Sequence, residues 1–294
     1  EDAVEVKFSY QKGRYMIAKR DIGQGQVFMK EKPFISAIDN RYLMSHCSLC
    51  TNNVMDCFIP CHQCTKAVFC SSECKNNAWE SFHKYECGFL DLLTKMFSSG
   101  VMVFRILFMV GLERVLNYLE TGFSRDTDEV MIQFKKFWSF LDHKESESLK
   151  VMSWITIHGI LMNHLVDYLW VAFYGEGRTH RSTMKLLFSY FVGAQLRCFV
   201  NQFGVYTEGE FNQKPNGIGA LIVIDSSFIN HSCQCNTYWR LMDNEMKMYA
   251  FENIKAGEEV SINYRSNEAK SFRKRQADLM ENYHFKCQCK KCIK

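Results

Sequence analysis

The sequence predicts an α+β chain in which one β-fold is split twice, first by a small cysteine-rich module and then by a helical insertion, and ends in a second cysteine cluster. Three observations carry that expectation. Short β-rich runs punctuated by turns fill residues 4–38 and return after residue 219, and helical spacing governs most of residues 89–203. Eight of the 14 cysteines crowd residues 47–87 and three more lie between 287 and 292, so thiol chemistry is confined to two short stretches.

The elements follow in order. Val4 to Tyr10, Arg14 to Ala18, Gln26 to Lys30 and Phe34 to Ile38 read as strands, with turns at Lys12-Gly13 and at Ile22-Gly23-Gln24-Gly25. At Cys47 the text changes to Cys, His and short polar connectors until Cys87, a separate module with little apolar material for a core. In the helical third, Val130, Phe134, Phe137, Trp138 and Leu141 share one face, and Asp126 with Glu129 supplies a start signal. Val101 to Leu112 holds Arg105, and Val151 to Tyr174 holds His158, Asn163, His164 and Asp167. Both therefore read as buried helices rather than membrane spans. Strands return at Gly219 to Ile224, Met246 to Phe251 and Glu259 to Tyr264, with turns at Asp243-Asn244 and Ala256-Gly257. A last helix is expected from about Asn267 to Asn282.

Composition narrows the class. In 294 residues, 47% are apolar and 23% charged, which excludes a disordered or collagen-like chain. With 3 prolines and no Gly/Ser tract there is no flexible linker, and a net charge of +4 neither requires nor excludes nucleic acid. The acidic start at Glu1-Asp2 carries no secretory leader, and the missing initiator Met points to a trimmed start. Disulfides in a secreted protein are thereby disfavoured against metal ligands.

The cysteine spacing specifies which metal. Cys47-x2-Cys50, Cys61-x2-Cys64, Cys70-x3-Cys74 and His83-x3-Cys87 are four ligand pairs, enough for two tetrahedral zinc sites whose binding would supply the segment's folding free energy. Cys57 falls outside the pattern, as a buried or free thiol. Cys287-x-Cys289-x2-Cys292 brings three ligands and needs a fourth, for which Cys233 and Cys235 are the candidates. A structural zinc there would tie the tail back onto the Asn230-His231-Ser232-Cys233 loop, with a catalytic zinc that keeps its fourth position open as the weaker alternative.

The series of pairs ending in His-x3-Cys resembles the MYND zinc finger. That resemblance implies interleaved pairing, with Cys47, Cys50, Cys70 and Cys74 on one zinc and Cys61, Cys64, His83 and Cys87 on the other. The run Phe228 to Asn236, the run Ala256-Gly257-Glu258-Glu259-Val260-Ser261-Ile262-Asn263-Tyr264 and the cysteine tail resemble a SET lysine methyltransferase domain. Together they are similar to the SET and MYND domain (SMYD) family over nearly the whole chain. Lys12-Gly13-Arg14-Tyr15 and the Ala18 to Pro33 run are more similar to its tetratricopeptide-bearing branch. No helical repeat array occurs in the sequence.

The resemblance implies a SET β-fold in segments 1–46 and 191–265, a MYND finger at 47–87, a helical insertion at 88–190 and a post-SET zinc-binding segment at 266–294. It implies S-adenosylmethionine-dependent methylation of protein lysines, three zinc ions, and a cytoplasmic and nuclear protein. Tyr264 and Tyr283 take the catalytic places. Arg14, Asn201, Phe203, Asn230, His231, Tyr264 and Phe285 take the cofactor-binding places, and Cys233 joins Cys287, Cys289 and Cys292 on the third zinc. The chemistry suits these residue types, because a narrow apolar channel beside a sulfonium disfavours a lysine ammonium and eases loss of its proton to water.

Two departures stand out. Tyr15 replaces the glycine usual after Gly13-Arg14 and limits backbone approach to a ligand, and Cys235 replaces the usual proline, leaving a free thiol or a rival zinc ligand. The alternative function is a non-catalytic scaffold whose finger docks proline-rich peptides. DNA binding through Lys66, Lys75, Lys84 or the helix bearing Lys270, Arg273, Lys274 and Arg275 is the weakest reading, since such charge runs are ordinarily solvated.

Overall fold

A computed structural model of the chain describes residues 2–95, 97–174, 181–206, 217–264 and 271–293. The strands in chain order are β1 (Val4–Ser9), β2 (Gly13–Ala18), β3 (Val27–Glu31), β4 (Ile35–Ile38), β5 (Ile59–Pro60) and β6 (Val68–Phe69), then β7 (Phe203–Tyr206), β8 (Gly217–Ile222), β9 (Asn230–His231), β10 (Thr237–Met242), β11 (Glu245–Ala250) and β12 (Glu259–Ile262). The helices are α1 (Ser72–Ala78), α2 (Lys84–Glu86), α3 (Leu90–Thr94), α4 (Phe97–Val110), α5 (Leu112–Thr121), α6 (Glu129–Trp138), α7 (Leu149–Tyr174), α8 (Arg181–Asn201) and α9 (Phe272–Tyr283). None of the described helices is long and apolar enough to cross a membrane.

The chain forms two compact units, one discontinuous (Glu1–Pro33 with Val223–Lys294) and one continuous (Phe34–Ile222). In the discontinuous unit, a four-stranded sheet runs β1-β2-β12-β9 and a three-stranded sheet runs β10-β11-β3. Gly13 takes φ 66° where β1 turns into β2, and Asp243 and Asn244 both take left-handed φ (54° and 57°), the two-residue hairpin geometry that matches strand twist. Inward residues of alternating strands, among them Met16, Ala18, Met246, Met248, Val260 and Ile262, are buried together with Leu279 of α9. The sequence places the start of α9 at Asn267; residues 265–270 lie outside the described residues, and the helix begins at Phe272 behind an N-cap Ser271 that accepts from the Lys274 N–H.

In the continuous unit, β4-β8-β7 form a three-stranded antiparallel sheet. Gly219 of β8 faces Ile38 of β4, and a Cβ added to it would collide with the Ala37 carbonyl oxygen. Backbone cannot swing away as a side-chain tip can. Gly219→Ala is expected to destabilise the protein by about 1–3 kcal/mol, read as a lowered Tm; an unchanged Tm would contradict the close approach. The cysteine-rich segment belongs to this unit and is not set apart as a unit of its own.

The structure departs from the sequence expectations at three places. α6 is capped by Asp128, whose carboxylate accepts from the Met131 N–H, while Asp126 pairs with Arg114; Leu141 lies beyond the helix and is exposed. α4 is buried as expected, but α7 is not. It packs on α8 through Ile155, Val192 and Leu196, and presents Ile157, Ile160, Leu161, Tyr168 and Val171 to solvent. An apolar run alone does not say which side a neighbour covers. Third, Phe203 to Tyr206 is a strand, paired with β8, where helical spacing runs on to Phe203.

Candidate active site and metal centres

Short-range backbone bonds shape the finger. The Cys47–Cys50 knuckle closes through the Thr51 N–H on the Cys47 carbonyl (2.9 Å), with Thr51 at φ 65°, and the Ser48 N–H reaches the Val68 carbonyl of β6 (2.8 Å). Ser71 caps α1 by accepting from the Cys74 N–H (3.1 Å), which fixes Cys74 in the first turn. A π-helical turn over Trp79–His83 follows α1, a distortion frequent at functional positions, and carries His83.

The result is two groups, Cys47, Cys50, Cys70 and Cys74, and Cys61, Cys64, His83 and Cys87, each with its ligand atoms within 4.8 Å of one another. Sulfur pairs stand 3.5 Å apart (Cys50–Cys70 and Cys70–Cys74) and 3.9 Å apart (Cys61–Cys87), and Cys64 Sγ is 3.6 Å from His83 Nε2. A tetrahedron with Zn–S bonds of about 2.3 Å has edges of about 3.8 Å, so both groups fit zinc. Burial, with the charge of Cys47 and Cys70 adding, pushes the Cys74 thiol up to about 12, so these sulfurs need a cation to ionise side by side. Cys57 stands outside both groups and is exposed.

Cys233, Cys287, Cys289 and Cys292 form a third group with the same spacing, and Cys235 is not part of it. Cys233 lies 3.9 Å from Cys287 and 3.7 Å from Cys292. α9 holds the tail in place: Gln276 donates to the Cys287 carbonyl (2.8 Å) and accepts from the Cys287 N–H (3.0 Å), and Arg275 Nη2 reaches Cys292 Sγ (3.8 Å). Arg275 is buried, so it is no part of a solvated basic face, and Lys270 lies outside the described residues. Lys66 and Lys84 pair with Asp91 and Glu80.

Around this group the discontinuous unit gathers four rings. Tyr264 lies 4.9 Å from Tyr283, 5.3 Å from His231 and 6.3 Å from Phe285 between ring centres, and His231 lies 5.9 Å from Phe285. The parallel pairing of β9 with β12 sets Asn230 beside Ser261 and His231 beside Ile262, two residues before Tyr264. The Tyr264 hydroxyl donates to the Ile229 carbonyl (2.9 Å), and burial holds that phenol protonated far above its usual range.

Both His231 nitrogens are engaged within the chain. Nδ1 accepts from the Tyr264 N–H (3.0 Å), so the ring proton sits on Nε2, 3.3 Å from Cys233 Sγ. Burial, with Arg275 adding, pushes this imidazole down to about 4 and keeps it neutral. The Asn230 amide donates to the carbonyls of Arg14 (3.2 Å) and Lys12 (3.3 Å), and the Arg14 guanidinium stacks 4.7 Å over the Phe228 ring. Tyr15 lies beneath the Lys12 ammonium, 5.2 Å from its ring centre. Asn201 and Phe203 belong to the continuous unit, where Asn201 donates to the carbonyls of Arg197 (2.8 Å) and Leu141 (3.4 Å) and Phe203 opens β7.

Sequence reasoning missed Glu31. Its carboxylate accepts from the N–H groups of Asp225 (2.7 Å) and Ser226 (2.9 Å) and from the Ser226 hydroxyl (2.8 Å), pinning the turn that leads into Asn230. A lone glutamate at a strand end carries no sequence signal for such a role.

Residues 13–265 match the model of the SET domain. Relatives include a SET and MYND domain-containing protein of Dictyostelium discoideum, 25% identical over 96% of this chain and 58% of its own length. The histone-lysine N-methyltransferase SET5 of Saccharomyces cerevisiae is 27% identical over 98% of this chain and 60% of its own. The N-lysine methyltransferase SMYD2-A of Xenopus laevis is 24% identical over 96% and 58%. This chain therefore spans less than two thirds of the length of these relatives. Because the matched stretch runs from the β1–β2 turn to just past Tyr264, the chain belongs to the SET domain family.

Proposed function

We propose that this chain carries the catalytic part of an S-adenosylmethionine-dependent protein-lysine methyltransferase. The observation that supports it is the convergence of Tyr264, Tyr283, Phe285 and His231 beside the Asn230 loop and a metal-binding tail in one unit. Relatives named as histone-lysine and N-lysine methyltransferases agree with this reading. Segments 1–46 and 191–265 would be the split SET fold, 47–87 the finger, 88–190 the insertion and 266–294 the post-SET tail.

When bound, S-adenosylmethionine supplies a methyl on a sulfonium, which a neutral lysine amine takes by in-line displacement as the carbon–sulfur bond breaks toward sulfur. The chain's residues supply the surroundings. Aromatic faces attract a lysine ammonium and, being apolar, favour its neutral form once it is desolvated. Tyr264 spends its proton on Ile229, so its oxygen presents lone pairs and no donor to the reacting centre. The Tyr264 phenol is held protonated, and His231, lowered to about 4, has its one ring lone pair engaged by the Tyr264 N–H, so neither serves as general base and the lysine proton leaves to water.

Titration calorimetry of the zinc-loaded protein with S-adenosylmethionine is expected to show one site, and labelled methyl is expected to reach lysines of a histone mixture or another lysine-bearing protein. Absence of cofactor binding would overturn the proposal. Binding without transfer to any protein tested would favour the scaffold.

A further inference from the structure

The most deeply buried charges in the described chain lie between the finger and the helical insertion. Arg105 of α4 and Glu86 of α2 are 1% and 0% exposed. Arg105 donates from Nε and Nη2 to the two Glu86 oxygens, both at 2.8 Å, and its guanidinium lies 4.3 Å from the Phe82 ring centre. Glu86 Oε1 also accepts from His83 Nδ1 at 3.0 Å. Because Nε2 of the same ring faces Cys64, Glu86 sets both the tautomer and the orientation of a metal-ligating imidazole.

Arg105 reaches further. Nη1 donates to the Ser48 carbonyl (3.0 Å), inside the Cys47–Cys50 knuckle, and to the Ser36 carbonyl of β4 (2.8 Å). The Ser36 hydroxyl closes the loop by donating to the Leu49 carbonyl (2.8 Å), in the same knuckle. One guanidinium thus touches a loop that carries two ligands of the first group, a carboxylate that orients a ligand of the second, and a strand of the sheet. The charges suit it, since zinc with four thiolates is −2 and zinc with three thiolates and a neutral imidazole is −1. Burying an ion pair is costly, and such a pair is best understood by what it specifies.

We propose that Arg105 and Glu86 are positioning residues for both metal centres of the finger, coupling them to each other and to β4 and α4, so that the two zinc ions load and leave together. The finger is then a fastened part of the continuous unit, and losing its metal loosens α4.

The test uses the zinc-loaded full chain under excess chelator, with zinc release followed by a chromogenic indicator and amide exchange followed over residues 101–110. The parent is expected to lose both finger ions in one phase, together with protection of α4. Glu86→Gln, which keeps the shape and removes the charge, is expected to speed release of a finger zinc by about tenfold or more and to split the phase in two. The tail group lies in the other unit and serves as the internal reference, its release unchanged. A folded Glu86→Gln protein with parental release rates would overturn the proposal. So would uniform acceleration at all three groups, which marks general destabilisation, or an α4 that stays protected after the finger zinc has left. Arg105→Met is expected to have the larger effect; should it fail to fold, Glu86→Gln decides alone.

Discussion

Tyr264→Phe is expected to leave S-adenosylmethionine binding within about threefold of the parent while methyl transfer falls by about a hundredfold, the cost of removing one preorganised dipole from a reacting centre. Phenylalanine preserves the ring contacts with Tyr283, Phe285 and His231 and removes only the oxygen that is oriented by Ile229. The Ile229 carbonyl loses its donor, so a stability loss of about 1 kcal/mol should accompany the change, and rates should be compared well below the Tm. Paired calorimetry and single-turnover transfer separate the two effects. Unchanged turnover would reject the role of the hydroxyl, and equal losses in binding and transfer would place it in ground-state recognition.

Cys292→Ser is expected to reduce the zinc content from three ions to two, seen by mass analysis under non-denaturing conditions, and to reduce methyl transfer at least tenfold. Cys292 meets Cys233 across the gap between tail and loop, so losing it forfeits much of the roughly 10–16 kcal/mol that a structural zinc contributes. Phe285 stands two residues before Cys287, and its ring rests against His231 and Tyr264, so loosening the tail is expected to withdraw it from both. Increased amide exchange over residues 284–293, with the finger unchanged, would trace the defect to the tail. A parental zinc count would show that the remaining thiols suffice.

The strands were largely legible, because alternation and turn chemistry are local. Gly13, Gly257 and the Asp243-Asn244 pair sit where the turns require left-handed backbone. Metal spacing was legible for the same reason, since each ligand pair lies within one turn of chain. What escaped depends on partners far away in sequence. Arg105 looked like a charge interrupting an apolar run, and only the fold shows that it answers Glu86, Ser36 and Ser48. Arg275 looked solvated within a basic run and is buried against Cys292. The two-residue strand β9 and the hairpin partner β10 have too little pattern to stand out, yet β9 is what aligns Asn230 and His231 with the Tyr264 strand. The outward face of α7 reads as core because periodicity reports amphipathic order without saying which side a neighbour covers.

The pairing of β12 with β2 joins Glu259 to Ile17 and Val260 to Met16, residues far apart along the chain. On the ribosome, residues 34–222 emerge as an uninterrupted stretch and can settle while translation continues, whereas β1 and β2 must wait on the order of tens of seconds for their partner at ordinary synthesis rates. The aromatic cluster is accordingly among the last parts to assemble, and a nascent chain stalled before Glu259 would carry the finger segment without the ring cluster around Tyr264.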